Sequence, residues 1–193
     1  MKKNIAILGS TGSIGKSLLK IIKKNKKNFN ILLLSANRNY KELYKQSKIF
    51  NVKNVVITNI KSYEKFKKIN KNRKIKVYKD FDKLNKIFTK RSDYTMSAIV
   101  GLEGLIPTIK IIKYSKKIAI ANKESIICGW NLIKKEIDKY KTKFIPVDSE
   151  HFSMWYALDK KNLSNINKVF LTASGGPLLN VSFKKLSKIK NKD

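Results

Sequence analysis

Short apolar runs alternate with lysine-rich segments of helical period along most of the chain. The apolar runs predict strands at residues 4–8, 30–35, 54–58, 75–78, 94–100, 117–121, 143–147 and 167–173. The segments between them predict helices at residues 14–25, 40–50, 61–71, 82–90, 104–114 and 123–140. Strands that alternate with helices in this way are typical of a parallel sheet covered on both faces. The pattern therefore predicts an α/β fold with a Rossmann-like, doubly wound parallel sheet.

The regular alternation ends near residues 145–150, where a polar motif follows a predicted strand. We therefore expect a first domain over residues 1–146 and the start of a second, α+β domain over residues 147–193. The last segment, SFKKLSKIKNKD, has only a partial helical period and no strand after it. We expect the second domain to be incomplete in this chain.

The composition is that of a globular protein without a membrane span. Hydrophobic residues make up 42% of the 193 residues, which is enough for a core. No run of about 18 apolar residues is present, and the first residues do not resemble a signal peptide. The single cysteine, Cys128, excludes an internal disulfide and a cysteine-rich zinc site. We expect a cytoplasmic protein in which Cys128 packs within an apolar helix.

The formal net charge of +31 would ordinarily indicate a nucleic-acid partner. Lysine, asparagine and isoleucine are in excess along the whole chain, however, while arginine is scarce. These three residues have A/T-rich codons, so we interpret the charge as the product of an A+T-rich genome. A dedicated nucleic-acid surface would concentrate charge and use arginine for phosphate contacts. We expect no specific nucleic-acid partner, only weak and salt-sensitive adhesion to polyanions.

A glycine-rich loop, GSTGSIG, joins the first predicted strand to the first predicted helix. Its glycines are Gly9, Gly12 and Gly15, in a G-x-x-G-x-x-G spacing. Glycines allow a pyrophosphate to approach the unpaired N–H groups of the helix N-terminus. Its hydroxyl residues can bond to phosphate or cap the helix: Ser10, Thr11 and Ser13. The loop favours a dinucleotide site, and the alternative is a tight strand-to-helix turn without a ligand.

The second predicted strand ends in SANRN, residues 35–39, which contains Arg38 and no carboxylate. An NAD site places an acidic residue here for the ribose hydroxyls, whereas an NADP site favours a basic group for the 2′-phosphate. NADP is therefore the preferred cofactor. The alternative is that Arg38 is one more surface cation.

Two further loops follow predicted strands. IVGLEGLIPTIKII, residues 99–112, suits a second loop near the cofactor at the carboxyl edge of the sheet. In the loop after residue 121, Lys123 is placed to meet an anionic substrate, and Asn122 and Glu124 to bond the nicotinamide half of the cofactor. The alternative for this second loop is a helix start, with Asn122 as its cap and Glu124 in its first turn.

The segment PVDSEH, residues 146–151, contains two carboxylates. In an extended stretch Asp148 and Glu150 point the same way and suit a hard divalent cation. A helix N-cap at Asp148 or Ser149, with Glu150 in the first turn, is an equal alternative. His151 is expected to orient or pack rather than to bind metal.

A last motif, LTASGGP, places Ser174 beside two glycines at the end of a predicted strand. Consecutive backbone N–H groups beside a hydroxyl form a phosphate nest. A plain strand-terminal turn is the alternative.

Together these motifs closely resemble those of the 1-deoxy-D-xylulose 5-phosphate reductoisomerase family. The motifs that carry the resemblance are GSTGSIG (9–15), AIVGLEGLIPTI (98–109), ANKESIICG (121–129), PVDSEH (146–151) and LTASGGP (171–177). The resemblance implies an NADPH-dependent enzyme of the non-mevalonate isoprenoid pathway that uses Mg²⁺ or Mn²⁺. The family converts 1-deoxy-D-xylulose 5-phosphate to 2-C-methyl-D-erythritol 4-phosphate. The resemblance also implies a homodimer for the full-length protein.

The resemblance assigns roles to the residues that match the family motifs. It implies cofactor-binding roles for Thr11, Gly12, Ser13, Ile14, Asn37, Arg38, Asn39, Asn122 and Glu124. It implies substrate-binding roles for Lys123, Ser149, Glu150 and Ser174. It implies metal-ligand roles for Asp148 and Glu150, and catalytic roles for Lys123 and Glu150.

Two departures from the family stand out. Asn37 stands where the family pattern has glycine, and asparagine tolerates a left-handed backbone there. The C-terminal half of the family, with its third metal carboxylate, has no counterpart in this sequence. We therefore expect this chain by itself to have little or no turnover, and a noncatalytic NADP-binding remnant is the alternative.

Overall fold

The computed structural model describes residues 1–71, 73–158, 166–170, 181–182 and 185. The chain divides into two compact units, Met1–Asp148 and Ser149–Asp193. The sheet, five α-helices and the loop motifs up to Asp148 belong to the first unit. The described helix of the second unit is α6, Ser149–Leu158.

The described part of the chain contains one sheet of seven strands. The strands are β1 (Lys3–Leu8), β2 (Phe29–Ala36), β3 (Asn54–Ile57), β4 (Lys76–Tyr78), β5 (Tyr94–Ser97), β6 (Lys117–Ile120) and β7 (Lys143–Pro146). Their order across the sheet is β4-β3-β2-β1-β5-β6-β7, and every neighbouring pair is parallel. The chain therefore winds outward from β1 in both directions, which confirms the predicted doubly wound, Rossmann-like sheet.

Five α-helices connect these strands. They are α1 (Ser13–Lys24), α2 (Tyr40–Ile49), α3 (Ile60–Ile69), α4 (Leu105–Ile112) and α5 (Lys123–Tyr140). Each matches a predicted helix within two residues at either end. Among the described residues no helix has both the length and the apolar character needed to cross a bilayer.

Two predicted elements differ from the structure. The helix predicted at residues 82–90 is only a short 3₁₀ turn, Leu84–Lys86, without a side-chain cap or a first-turn acid. The apolar spacing is present because Phe81, Leu84 and Phe88 are buried, but they pack as a loop against the core. A strand was predicted at residues 167–173. Residues 167–170 have no regular secondary structure, and residues 171–173 lie outside the described part of the chain.

Each face of the sheet buries its own apolar cluster. On one face Ile5, Ile7 and Leu34 pack with residues of α1 to α3, which include Leu19 and Phe66. On the other face the buried strand and helix residues include Ala6, Leu8, Ile118, Ile111 and Ile133. Successive strand residues point to opposite faces, so a strand covered on both faces is apolar at nearly every position. This is why the strands were visible as continuous apolar runs.

Helix α5 differs from its predicted packing at one residue. Cys128 is exposed, so the prediction that it packs in an apolar environment is wrong. The buried face of α5 is formed by Ser125, Gly129, Ile133 and Ile137. Cys128 precedes Gly129 directly, and adjacent helix positions face different directions.

Asp93 joins the amino-terminal ends of three strands. Its Oδ2 accepts the Asn4 N–H at 2.8 Å, and its Oδ1 accepts from Lys116 Nζ at 2.8 Å. The Lys116 hydrogen bond, followed by the Asn4 N–H, holds the pKa of Asp93 below its ordinary value of 3.8. A carboxyl whose pKa is lowered by folding stabilises the protein above its unfolded-state pKa, and this contribution disappears as the pH falls through the folded-state value.

We therefore expect Asp93→Asn to lower the free energy of unfolding most at pH 7, and less as the pH falls below 3.8. Urea denaturation of both proteins between pH 7 and pH 2.5 measures this convergence. Asp82→Asn is the matched control, because its ion pair with Lys110 is largely exposed and contributes little. A difference between wild type and Asp93→Asn that stays constant over the whole pH range would contradict the prediction.

Candidate functional site

A cavity of about 570 Å³ lies at the carboxyl edge of the sheet. Its wall is formed by the loops that follow β1, β2 and β5, with Thr58 after β3. Strands β1 and β5 are neighbours in the sheet, and the chain leaves them in opposite directions. Doubly wound sheets bind ligands at this switch point, outside the carboxyl ends of the strands. The position of the cavity is therefore that of a ligand site.

The glycine loop is shaped by contacts that exclude side chains. Gly9 has a φ of +78°, and a Cβ atom there would lie 2.5 Å from the carbonyl oxygen of Ala98. A Cβ atom at Gly15 would lie 2.5 Å from the carbonyl oxygen of Gly9. The loop closes through the Gly12 N–H, which donates to Gly9 O at 3.1 Å. The first and third glycines are thus required by close backbone approach, in agreement with the predicted strand-loop-helix turn.

The N-terminus of α1 is open, whereas those of three other helices are capped. The α2, α3 and α5 helices begin after Asn39, Asn59 and Asn122, and each side chain accepts a backbone N–H of the first turn. Gly12 precedes α1 and has no side chain to do so. Gly12 and Thr11 line the cavity. Unpaired N–H groups and the positive end of the helix dipole suit a phosphate group.

Ser10 faces away from this anion position. It is fully buried, and its hydroxyl donates to Gln46 Oε1 at 2.8 Å and contacts Ser35 O at 3.3 Å. The prediction that Ser10 provides a phosphate-binding or capping hydroxyl is therefore wrong. The reason is the tight turn at Gly9, which directs Ser10 into the space between β2 and α2.

Asn37 and Arg38 line the cavity after β2. Arg38 is exposed and takes part in none of the ion pairs found among the described residues. The left-handed backbone considered for Asn37 is not found, because the described non-glycine residues with positive φ are Asn51, Arg73 and Lys141. Asn39 uses its side-chain oxygen to accept the Glu42 N–H at 3.2 Å, which leaves its amide N–H₂ group for other partners.

Asn122 holds the loop that follows β5. Its side chain is 3% exposed, and its Nδ2 donates to the carbonyl oxygens of Ile99 and Gly101. Its Oδ1 accepts the Ser125 N–H at 2.9 Å, so Asn122 is the helix cap that the alternative interpretation predicted. Glu124 lies in the first turn of α5, also as that alternative predicted. Ile99, Val100 and Glu103 of the held loop line the cavity, whereas Asn122, Lys123 and Glu124 do not.

Sequence reasoning missed several residues of the cavity wall. Thr58 directly follows β3, at the same sheet edge as Arg38. This position was a usable signal, because the carboxyl ends of parallel strands meet at one edge. Glu103 lies in the loop at 99–112 that the sequence predicted near the cofactor, although the residue itself was not singled out. Phe81 gave no signal, because its apolar spacing with Leu84 and Phe88 predicted a helix rather than a cavity wall.

The carboxylate motif begins a helix. The predicted extended backbone across residues 148–150 is not found, because α6 starts at Ser149 and has Glu150 in its first turn. Serine and a first-turn carboxylate both favour a helix start. The Ser149 hydroxyl donates to Glu150 Oε2 at 2.9 Å. Asp148 is half-buried and is the last residue of the first unit.

The metal assignment has incomplete support among the described residues. Asp148 and Glu150 are oxygen ligands of the type that Mg²⁺ and Mn²⁺ prefer. No group of three or more His, Cys, Asp or Glu residues that could hold a metal ion is found in the described ranges. The role of these two carboxylates stays a prediction. Ser174 and the LTASGGP motif lie outside the described residues.

Comparison with protein-family models matches nearly the whole chain. The model described as 1-deoxy-D-xylulose 5-phosphate reductoisomerase matches residues 5–129. The chain belongs to this family. The model of the C-terminal domain of the same reductoisomerase matches residues 144–193. Membership explains why the loops after β1, β5, β6 and β7 carry the motifs recognised in the sequence.

The curated relatives of this chain are also described as 1-deoxy-D-xylulose 5-phosphate reductoisomerases. The 1-deoxy-D-xylulose 5-phosphate reductoisomerase of Pelagibacter ubique is 60% identical over 193 residues, which are 99% of this chain and 50% of that protein. The reductoisomerase of Clostridium acetobutylicum is 38% identical over 194 residues, also 99% of this chain and 50% of that protein. The chain thus spans about half the length of the curated relatives it matches.

Solved reductoisomerase structures share the fold. The enzyme from Zymomonas mobilis in complex with NADPH has a TM-score of 0.83 and 31% identity, and the match covers 100% of this chain and 51% of that one. A reductoisomerase in complex with NADPH, fosmidomycin and magnesium has a TM-score of 0.79 and 28% identity, over 98% of this chain and 50% of that one. These neighbours support the doubly wound sheet described above as the fold of this family.

Proposed function

We propose that this chain forms the NADPH-binding part of a 1-deoxy-D-xylulose 5-phosphate reductoisomerase. That enzyme isomerises and reduces 1-deoxy-D-xylulose 5-phosphate to 2-C-methyl-D-erythritol 4-phosphate. The observation that carries the proposal is the cavity at the switch point. It combines an open helix N-terminus with Arg38, which forms no ion pair with any residue that the structure describes. The solved reductoisomerase with NADPH supports the same cofactor.

The cavity wall and the residues beside it fit the pyrophosphate and the 2′-phosphate of NADPH. The Thr11–Ile14 segment would hold the pyrophosphate, because the backbone N–H groups at the start of α1 have no capping side chain. Arg38, with the free amide N–H₂ of Asn39 and the neighbouring Asn37, would hold the 2′-phosphate. When bound, NADPH supplies the hydride for the reduction.

The nicotinamide half would lie toward the loop of Ile99 to Glu103. We propose that Asn122 acts on this half through the loop that it holds, and that Glu124 contacts the cofactor directly. The direct role of Glu124 rests on the family motif ANKES, since its side chain does not line the cavity.

Substrate and metal roles follow from the family motifs. We propose that Lys123, Ser149 and Ser174 bind the sugar phosphate, with Lys123 supplying a positive charge. Glu150 would bind both substrate and Mg²⁺ or Mn²⁺, and Asp148 would be the second metal ligand. Lys123 and Glu150 are the proposed catalytic residues.

The proposed domains, oligomeric state and cellular compartment also follow from membership in this family. We propose a cofactor domain over residues 1–146, a catalytic domain that begins at residue 147, and a homodimer of the full-length enzyme in the cytoplasm. The proposal includes no specific nucleic-acid partner, because the positive charge is spread over the whole chain.

Titration with NADPH and with NADH, followed by cofactor fluorescence, tests the proposed function. We expect wild type to prefer NADPH, and Arg38→Ala to bind NADPH about tenfold to a hundredfold more weakly with NADH unchanged. This follows because the 2′-phosphate is the only group by which the two cofactors differ. Removing a charged hydrogen bond costs about 1.5–3 kcal/mol.

Lys61→Ala is the matched control, since Lys61 is an exposed cation on α3 outside the cavity wall. It separates a specific contact from the general attraction of a +31 protein for anions. Equal binding of NADPH and NADH by wild type, or an equal loss in Lys61→Ala, would refute the 2′-phosphate assignment.

A further inference from the structure

Gln46 is a buried amide that none of the sequence motifs contains. It lies in the middle of α2, is 4% exposed, and does not line the cavity. An uncharged polar side chain in the core requires hydrogen-bond partners, and its burial is costly without them. Its partners therefore indicate what the residue does.

The side chain of Gln46 pairs with Ser10 at two points. Gln46 Nε2 donates to the carbonyl oxygen of Ser10 at 3.1 Å, and Gln46 Oε1 accepts from the Ser10 hydroxyl at 2.8 Å. Gln46 Nε2 also donates to Glu42 Oε1 at 3.1 Å, one turn earlier on α2. Both amide protons and the amide oxygen are thus engaged, which fixes the orientation of the group.

Strand β2 holds the other side of the same loop segment. The Ser10 N–H donates to Ser35 O at 2.9 Å, and the Gly9 N–H donates to Ser35 Oγ at 3.0 Å. The glycine loop is therefore fixed at Gly9 and Ser10, directly before Thr11 and Gly12 of the cavity wall. Ser35 and Gln46 together form a clamp behind the loop, and in this clamp Gln46 is the only side chain from a helix.

We infer that Gln46 is a positioning residue that holds the glycine loop in its anion-binding shape and sets its distance from the start of α2. The inference rests on the proposed binding of NADPH at this loop. Helix α2 begins directly after Arg38 and Asn39, so the pairing of Gln46 with Ser10 links the pyrophosphate loop to the 2′-phosphate end. A loop that is already in its bound shape loses less conformational entropy on binding.

Gln46→Met tests this role, because methionine is unbranched and similar in length but has no amide group. Ser47→Ala is the matched control: Ser47 is 1% exposed on the same helix, and its hydroxyl donates to the Leu43 carbonyl oxygen one turn earlier, within α2 itself. Both changes remove buried hydrogen bonds, but only the first touches the glycine loop. Ser10→Ala is a second variant, in the loop itself. It removes the hydroxyl that donates to Gln46 Oε1 but keeps the carbonyl oxygen that accepts from Gln46 Nε2.

Two measurements on the folded 193-residue proteins decide the outcome. Hydrogen exchange of the ligand-free proteins should show faster exchange at the amides of residues 10–13, about tenfold in Gln46→Met and less in Ser10→Ala. The Kd for NADH should rise about tenfold, because its pyrophosphate binds the same loop, and the Kd for NADPH should rise by at least that factor, because the distance to the 2′-phosphate end also changes. Ser47→Ala should leave both measurements unchanged.

In a wild type that binds NADPH, Gln46→Met must show both changes, and either change alone overturns the inference. A loss of thermal stability without a change in exchange or Kd would also overturn it, since a purely structural residue gives that result. A wild type that binds neither cofactor would contradict the proposed function instead. The exchange rates at residues 10–13 would then decide by themselves whether Gln46 holds the loop.

Discussion

Gly9→Ala is expected to lower the free energy of unfolding by about 2–5 kcal/mol and to remove measurable NADPH binding. Two causes add at this position. A residue with a Cβ atom at the φ of +78° is strained by about 1–2 kcal/mol. The Cβ atom would also lie 2.5 Å from Ala98 O, a backbone atom that cannot move without displacing the loop after β5. Both loops of the cavity would therefore change shape.

Gly12→Ala is the matched control for the stability measurement. Gly12 has a φ of −78°, and its Cβ atom would meet nothing closer than Gly9 O at 3.4 Å, an ordinary contact. Guanidinium denaturation should show a loss in Gly9→Ala that exceeds the change in Gly12→Ala by at least about 2 kcal/mol. Equal stability of the two variants would show that the turn at Gly9 adapts to a side chain.

Asn122→Ala is expected to have the next largest effect, a loss of about 2–4 kcal/mol together with weaker NADPH binding. The substitution removes the cap of α5, which is worth about 1 kcal/mol. It also leaves the carbonyl oxygens of Ile99 and Gly101 without their buried donor, at about 1–3 kcal/mol for an unsatisfied group. The freed loop forms part of the cavity wall, so cofactor affinity should fall with stability.

Asn59→Ala separates the loss of a helix cap from the release of the loop after β5. Asn59 caps α3 by accepting the Ser62 N–H at 3.0 Å. Its backbone N–H donates to Asn37 O at 3.3 Å in the cavity wall, and alanine keeps this N–H. We expect it to lose only the cap contribution and to bind NADPH as wild type does. In Asn122→Asp the cap oxygen remains, but the second oxygen faces two carbonyl oxygens, so the loop should be displaced. Wild-type NADPH affinity in Asn122→Asp would exclude a role for Asn122 in holding the loop.

Most of the fold was predictable because its elements are strongly patterned. Strands β1, β2 and β3 are apolar at nearly every position, and a Rossmann-like sheet follows from their alternation with helices. The segment at 82–90 was not predictable in the same way, because Phe81, Leu84 and Phe88 have helical spacing in a short loop. Local spacing shows which residues are buried, but tertiary packing decides the backbone that buries them.

The candidate site was predictable at the residues that follow strands directly. The glycine loop and Arg38 lie on the cavity wall because the parallel sheet gathers these loops at one edge. Asn122 and Ser10 belong to sequence motifs, yet both are buried: Asn122 holds the loop after β5, and Ser10 bonds Gln46 of α2. A polar residue in a motif can bind the ligand or the backbone, and only the direction of its side chain distinguishes the two.

By itself the sequence determined the family, the parallel α/β sheet and the position of the glycine loop. These follow from the order of short motifs and from hydrophobic periodicity, which are properties of neighbouring residues. Only the tertiary structure decided that Gln46 contacts Ser10 across 36 residues, that Asn122 holds the loop after β5, and that Phe81 reaches the cavity. These contacts join residues distant in the chain, and their geometry is set by how the helices pack on the sheet.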